Sequence, residues 1–589
     1  MIRAGVCGDA AGLDARDARL RRIYGAVLAS ALLSFCSFHP VDLGLLAWIA
    51  LVPLLVVGAR EGRWVTAGMA YAATFLYHLP GLSWIALTTP EGWLTTVFLE
   101  GFYGVALVCG ALWVRRRRGL PLVLILPMLG VALEWIRGNF PFIAFPWLFW
   151  GHTQHARSTL IQIVDVTSTY GLTALVLAVN GALAEAAILL EDRRREARDL
   201  GRDDRLLLKK WLLPPAAAIV AVLLYGVVRS AHVRSAIEEG PRLLVVQVDV
   251  PQTLKEGGAV GAQTVAAENL ALTNAALGRS PQPVDAIVWS ETVWLFPVRD
   301  ERKAAGRVRW DEYVQKYQRD PRPQARRWVN SWLTLQARLH RLVAKAGVPV
   351  LVGALDRGWV DGGGPHNSYY QFVPDPVRGA RVAARYDKID LVPVSEYIPF
   401  RGTFFFRFFK GFVPPGFTVF EPGRLDQPLF EVGEHRLAPD ICFEISFPEL
   451  LRSFTQRGAT VHVCPANDAW FVRGDRGEKA RPTAEVFLAR AHTRFRAIEN
   501  RRGIVRCVNR GISLVMDPTG EVTARVERLD AKGRPRTIGV AGTLTAVVPT
   551  TSLRSFYVRF GDVFAYACLA ASVAWVVLAA RGARTAEIA

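Results

Sequence analysis

The sequence predicts a multi-span α-helical membrane bundle fused to a layered α/β domain, and three observations carry that prediction. Mean hydropathy is +0.21 over 589 residues, 51% of them hydrophobic. That is too apolar for an ordinary soluble chain of this length and too polar for spans alone. Apolar runs crowd the first 230 residues, and one more lies near 561–580. Residues 240–550 instead alternate short β-branched strands with amphipathic helical stretches, the pattern of packed layers.

Taken in order, a cytoplasmic segment (1–22) precedes a seven-span bundle (23–230), with runs near 23–39, 43–59, 65–88, 94–114, 119–136, 171–190 and 211–229. Crossing a bilayer takes roughly 17–25 apolar residues. The first two runs are short, as tilted or partly re-entrant segments are. A signal peptide would also place Arg19, Arg21 and Arg22 before an apolar run. No small-residue cleavage site follows, however, and a second apolar run comes directly after. Arg19/Arg21/Arg22, Arg60/Arg63, Arg115 to Arg118 and the stretch from Arg193 to Lys210 fall on alternate loops. The positive-inside rule then puts the N-terminus in the cytoplasm and 240–550 outside it. An eighth span at 561–580 returns the tail, 581–589. The same placement accounts for much of the net charge of +19 and argues against a nucleic-acid partner. The aromatic, proline-broken stretch Phe140 to Trp150 suits an interfacial belt or a re-entrant floor under a lipid.

In the α/β domain the spacing predicts strands at 243–248, 286–289, 348–352, 369–373, 438–441, 460–464, 504–508 and 511–515. Helices are expected at 263–276, 326–346 and 483–500. Three reactive groups sit at strand ends: Glu291, Lys388 and Cys442. A carboxylate base, an ammonium beside a developing oxyanion and a thiol nucleophile together suit covalent acyl transfer, with Phe443 N–H as a second oxyanion donor. Singly, each of the three reads more simply as packing or a structural ion pair. The seven cysteines are scattered with no C-x-x-C pair or His/Cys cluster, so neither a metal site nor a disulfide framework is expected, and no cofactor.

The three segments resemble the nitrilase, or carbon–nitrogen hydrolase, superfamily. More closely, the chain resembles the apolipoprotein N-acyltransferase family over nearly its full length. The carrying motifs include Phe145-Pro146-Trp147-Leu148, Val288 to Thr292, His366-Asn367-Ser368, Tyr386 to Phe400, Ile441 to Glu444, Asn467 to Phe471, Arg494 to Asn500 and Asn509 to Ser513. The resemblance implies an αββα sandwich in a bacterial inner membrane. It implies a Glu291–Lys388–Cys442 triad supported by Glu396, Glu444 and Phe443, with Asn367, Trp470 and Trp147 among the substrate-binding residues. It also implies a phospholipid acyl donor and a diacylated lipoprotein acceptor, joined through a cysteine thioester.

The chain departs from the family pattern in places. Gln247, Gln252 and Lys255 match its first motif, but Asp249 and Glu256 replace Asn and Trp. Phe443 replaces Tyr, Ser395 replaces Gly, Leu488-Ala489 replaces Gln-His, and residues 299–328 form a basic insertion. Independently of any family, Arg401 to Phe412 interleaves phenylalanines with Arg and Lys. That composition suits an arm in the headgroup boundary, with Phe404, Phe405 and Phe408 guiding acyl chains. The competing readings are a membrane-tethered amidase using the same triad, and a receptor or transporter whose outer domain only binds.

Overall fold

A computed structural model describes residues 5–279, 283–298, 300, 312, 314–356, 364–404, 407, 419–476 and 478–581. The chain divides into two units, Met1–Val228 with Asp562–Ala589, and Arg229–Gly561.

The first unit is helical: α1 (Gly5–Ser37), α2 (Arg63–Gly81), α3 (Pro90–Arg118), α4 (Leu122–Gly138), α5 (Thr169–Arg195), α6 (Arg202–Ser235, which runs past the unit boundary) and a final helix, Val563–Arg581. Among the described residues α3, α5, α6 and the final helix are long and apolar enough to cross a membrane. α1 begins well before the apolar run expected at 23–39, because its charged first half continues the same helix. Residues 43–59, expected as a short span, hold a 3₁₀ turn, Gly44–Trp48, and the seven-residue helix Val52–Gly58. At about 1.5 Å per residue that stretch falls short of a bilayer core of roughly 30 Å. Irregular backbone at such a place needs polar partners. Asn180 supplies them, accepting from Leu51 N at 2.8 Å and donating to Ala47 O at 2.8 Å, while Gln154 donates to Gly44 O at 2.9 Å.

The second unit is a sandwich of two six-stranded sheets. Its strands are β1 (Glu238–Gln247), β2 (Ala286–Trp289), β3 (Val350–Asp356), β4 (His366–Asp375), β5 (Gly379–Asp387), β6 (Phe430–Val432), β7 (His435–Pro439), β8 (Val461–Asn467), β9 (Gly503–Asn509), β10 (Leu514–Met516), β11 (Val522–Arg525) and β12 (Gly542–Thr550). One sheet runs β12-β1-β2-β3-β4-β5 and the other β11-β10-β9-β8-β7-β6. β1, β2 and β3 are mutually parallel, as are β7, β8 and β9, and the outer strands are antiparallel.

Period-two alternation builds the layers. Leu243, Val245 and Val288 face inward onto Leu437, Val461 and Val463 of the other sheet. Leu244, Val246 and Ile287 face outward, onto apolar side chains of the helices Gly258–Leu277 and Pro323–Ala346. Pro448–Gln456 and Ala484–Asn500 cover the second sheet. The result is αββα. β5, β6, β11 and β12 were not among the expected strands: β5 is half polar, β6 is only three residues long, and β11 and β12 are edge strands, β11 mostly exposed and β12 with a mostly half-exposed face.

Candidate active site

Parallel strands bring their carboxyl ends to one edge of a sheet, where loops are free to carry chemistry. Glu291 follows β2, Cys442 follows β7 and Asn467 ends β8. β5 runs antiparallel to β4, which runs antiparallel to β3, so Lys388 leaves β5 at the same edge, and Asn367 enters β4 there. Close strand approach fixes Glu291. A Cβ on Gly353 of β3 would lie 2.5 Å from Ser290 O and 2.8 Å from Glu291 Cα, so only glycine fits.

Three carboxylates and two polar partners organise the centre. Lys388 is buried, and its Nζ reaches Glu396 Oε1 at 3.0 Å and Oε2 at 2.9 Å. Burial alone would pull this lysine down, but Glu396, Glu291 and Cys442 outweigh it and hold it above the ordinary value. Lys388 is therefore a fixed cation. Asn367 bridges the two flanking carboxylates, its Nδ2 donating to Glu291 Oε1 at 2.8 Å and Glu396 Oε1 at 2.9 Å. Glu444 engages both oxygens with its neighbours. Its Oε1 accepts from Tyr386 OH (2.8 Å), Ile389 N (2.6 Å) and Asp390 N (3.1 Å), and its Oε2 accepts from Ile441 N (2.6 Å). One buried carboxylate thus locks the segment after β5 to the turn that carries Cys442. Burial, with Asp390 beside it, pushes Glu444 up to about 8.

Cys442 opens a 3₁₀ turn with φ +56, a left-handed setting that costs a non-glycine residue about 1–3 kcal/mol. Among the described residues its Sγ makes no hydrogen bond, and the residue is only partly buried. Burial pushes the thiol well above its ordinary value, Glu291 adds to this, and Lys388 opposes it. A thiol so raised favours its neutral form, and any attack by it requires a base for its proton.

Phe443 stacks edge-to-face on Phe447 with ring centroids 5.1 Å apart. Trp470 is 42% exposed on the turn after β8. Trp147 lies in the helical unit, 2% exposed, tilted against Trp84 at 5.0 Å. The stretch around it divides: Trp147 to Trp150 are buried, whereas Phe140 and Phe142 are exposed. Phe404 is 89% exposed, while Phe405 and Phe408 lie outside the described residues. The insertion 299–328 is described only from 314 onward and at 300 and 312.

Sequence reasoning did not single out four charged groups at this centre. Lys255 Nζ donates to Thr292 Oγ1 at 2.6 Å and reaches Glu291 O at 3.4 Å. Asp468 accepts from Arg506 at 2.8 Å, and Glu485 is buried in the first turn of its helix. Both of these acids add to the upward push on Cys442. Two of them lay in matching motifs, Lys255 as the last matching residue of the Gln247 to Lys255 stretch and Asp468 within Asn467 to Phe471.

Among the described residues one His/Cys/Asp/Glu group has ligand atoms within 4.8 Å of one another: His39, Asp42 and His155, in the helical unit. His155 Nε2 and Asp42 Oδ1 are 2.8 Å apart and the charge of Arg157 also acts on Asp42, so the group serves as a tie between two loops.

The family described as "Apolipoprotein N-acyltransferase N-terminal domain" matches residues 30–182, and "Carbon-nitrogen hydrolase" matches 257–544. The apolipoprotein N-acyltransferase of Geobacter metallireducens is 28% identical over 583 residues, covering 96% of each chain. That of Chlorobaculum tepidum is 26% identical, covering 91% of this chain and 92% of its own. That of Azotobacter vinelandii is 29% identical, covering 85% and 86%. Among solved structures, a carbon-nitrogen hydrolase from Helicobacter pylori G27 is 16% identical over 53% of this chain and 89% of its own, with a TM-score of 0.34. Matched in both its halves and over nearly its whole length, this multi-span membrane chain belongs to the apolipoprotein N-acyltransferase family.

Proposed function

We propose that the chain transfers an acyl group from a membrane phospholipid to the α-amine of a diacylglyceryl-cysteine on an apolipoprotein, by a ping-pong reaction through Cys442. Glu291 takes the thiol proton as Sγ attacks the sn-1 ester carbonyl. The positive charge of Lys388 and the Phe443 N–H stabilise the oxyanion. The C–O bond breaks, Glu291 returns the proton to the leaving alkoxide, and lysophospholipid departs. In the second half the acceptor amine attacks the thioester, Glu291 takes its proton and passes it to the departing sulfur. A thioester suits an amine acceptor, provided water is kept away.

The observation that carries this reading is the asymmetry of the centre. Lys388, Glu396 and Glu444 are saturated by partners, while Cys442, strained and close to Glu291, has a thiol that makes no hydrogen bond among the described residues. The arginine-rich alternate loops support an extracytoplasmic catalytic unit, facing the leaflet where both lipidated substrates are anchored. The exposed Phe404 supports an arm that meets acyl chains.

Intact-protein mass spectrometry after exposure to phospholipid tests the proposal. A hydroxylamine-sensitive acyl adduct is expected on Cys442, with none in Cys442→Ser. Transfer to a diacylated lipopeptide should follow. An unmodified Cys442 during turnover would sink the covalent route, and release of free fatty acid alone would make the protein a hydrolase.

A further inference from the structure

The centre holds two buried lysines in opposite settings. Lys388 is clamped by both oxygens of Glu396. Lys255 has no carboxylate within ion-pair distance among the described residues. Its Nζ has two partners, both neutral: Thr292 Oγ1 at 2.6 Å and the Glu291 carbonyl at 3.4 Å. Thr292 itself holds φ +50, an uncommon setting for a β-branched residue, at the strand end that carries Glu291. A neutral amine has two N–H bonds and one lone pair. Two donations use both N–H bonds and leave the lone pair over, whereas an ammonium would keep a third N–H without an acceptor.

We infer that Lys255 is a second base of this centre, which takes a proton from the incoming acceptor ammonium so that the amine attacks the thioester in its neutral form. This rests on the acyl-transfer reading above. The acceptor's α-amino group has an ordinary pKa of about 7.7–8.0, so at neutral pH it arrives mostly as a non-nucleophilic ammonium. Lys255 accepts that proton and becomes an ammonium. The amine nitrogen then forms the C–N bond, its second proton passes to Glu291, and the C–S bond breaks as Glu291 protonates the sulfur. Lys255 afterwards releases its proton to water.

The surroundings support this division of work. Burial pulls Lys255 down to about 8, against the opposing charges of Glu291 and Cys442, level with the acceptor's own amine, so at neutral pH its minor free-amine form takes the acceptor's proton at little cost. Those are the titratable groups that act on it. Its neighbour Glu256 is engaged by Gln252 at 3.0 Å, and Lys388 and Asp468 act on Glu291 in turn. Two amines pushed apart by environment take different roles, one a permanent cation and one a proton acceptor.

The test separates the half-reactions in the purified full-length protein. Cys442 is acylated with phospholipid, and release to a diacylglyceryl-cysteine peptide is followed across neutral and alkaline pH in wild type, Lys255→Arg and Lys255→Met. Arginine keeps the charge but cannot give up its proton. The expected result is normal Cys442 acylation in Lys255→Arg with transfer slowed about a hundredfold at neutral pH, the low end of general acid–base catalysis. That loss should shrink as pH rises and the peptide amine becomes neutral. Hydroxylamine, already neutral at pH 7, should deacylate the variant at the wild-type rate. Full transfer in Lys255→Arg at neutral pH would overturn the proposal, since a fixed cation would then suffice. Failure of Lys255→Arg to acylate would overturn it too, placing the side chain in the first half-reaction. Absence of any Cys442 adduct in wild type would instead defeat the covalent reading itself.

Discussion

Each unit buries a cluster of charge, and the two clusters are built on opposite terms. In the helical unit Arg137 pairs with Glu100, donates to Trp147 O at 2.8 Å and lies over the Phe149 ring at 4.9 Å. Glu134 nearby accepts from Trp150 N at 2.7 Å and Thr173 Oγ1 at 2.6 Å. Every formal charge there meets an opposite charge or a donor. The catalytic unit applies the same saturation to Lys388, Glu396 and Glu444, yet leaves Cys442 Sγ unbonded and Lys255 without a counter-ion among the described residues. Saturation holds a scaffold, and the groups left unsaturated inside a saturated frame are the ones available for chemistry.

The brace offers the sharpest way to break this comparison. Glu444→Gln turns one acceptor into a donor facing the Ile441 N–H or the Ile389 and Asp390 N–H groups. The Lys388 segment and the nucleophile turn should lose their common anchor. Acylation of Cys442 is expected to fall about a hundredfold, as small misplacements of reacting groups do. Single-turnover acylation measures it, and near-wild-type acylation would show that Glu444 is dispensable.

The membrane cluster should answer differently. Arg137→Met alone strands Glu100 and is expected to destabilise the fold by about 3–5 kcal/mol, whereas Arg137→Met with Glu100→Met should recover most of that. Thermal unfolding in detergent reads the pattern. Acylation per folded molecule should remain unchanged. A double variant as unstable as the single one would mean that the pair does more than balance charge.

The smallest effect concerns pH. Burial pushes Asp440 up to about 8, opposed by Cys464, Arg506 and Arg496. Its pKa when unfolded is about 3.9. Between those values the folded chain holds a proton that the unfolded chain has lost, so this group's contribution to stability declines as pH rises towards 8. Glu444 and Asp390, also raised, act in the same direction. Asp440→Asn should flatten part of the fall in unfolding midpoint between about pH 5 and pH 8. An unchanged slope would mean that Asp440 is ionised in the fold.

Some of this architecture is legible along the chain because it is periodic. Runs such as Ala286–Trp289 and Val461–Asn467 are buried along their length, and the helix Pro323–Ala346 buries one face, so burial writes itself into the sequence. Residues 43–59, read as a short, tilted or partly re-entrant span, are less legible. Their composition is that of a span, but their broken backbone is stabilised by Asn180 and Gln154, which are more than a hundred residues away. β5 was missed because its polar residues serve as ion-pair partners: Arg385 meets Asp356 and Asp387, both at 2.6 Å.

By itself, then, the sequence determined a membrane half and an α/β half, since hydropathy and strand period are local properties, while the thiol, amine and carboxylate were picked out only by the family resemblance. Only the tertiary structure decided that Asn367 bridges two carboxylates, that Glu444 ties two segments together and that Lys255 reaches Thr292 and the Glu291 carbonyl. Those roles depend on distances of about 3 Å between residues far apart in the chain. No local pattern records them, because strand order, not sequence order, makes them neighbours.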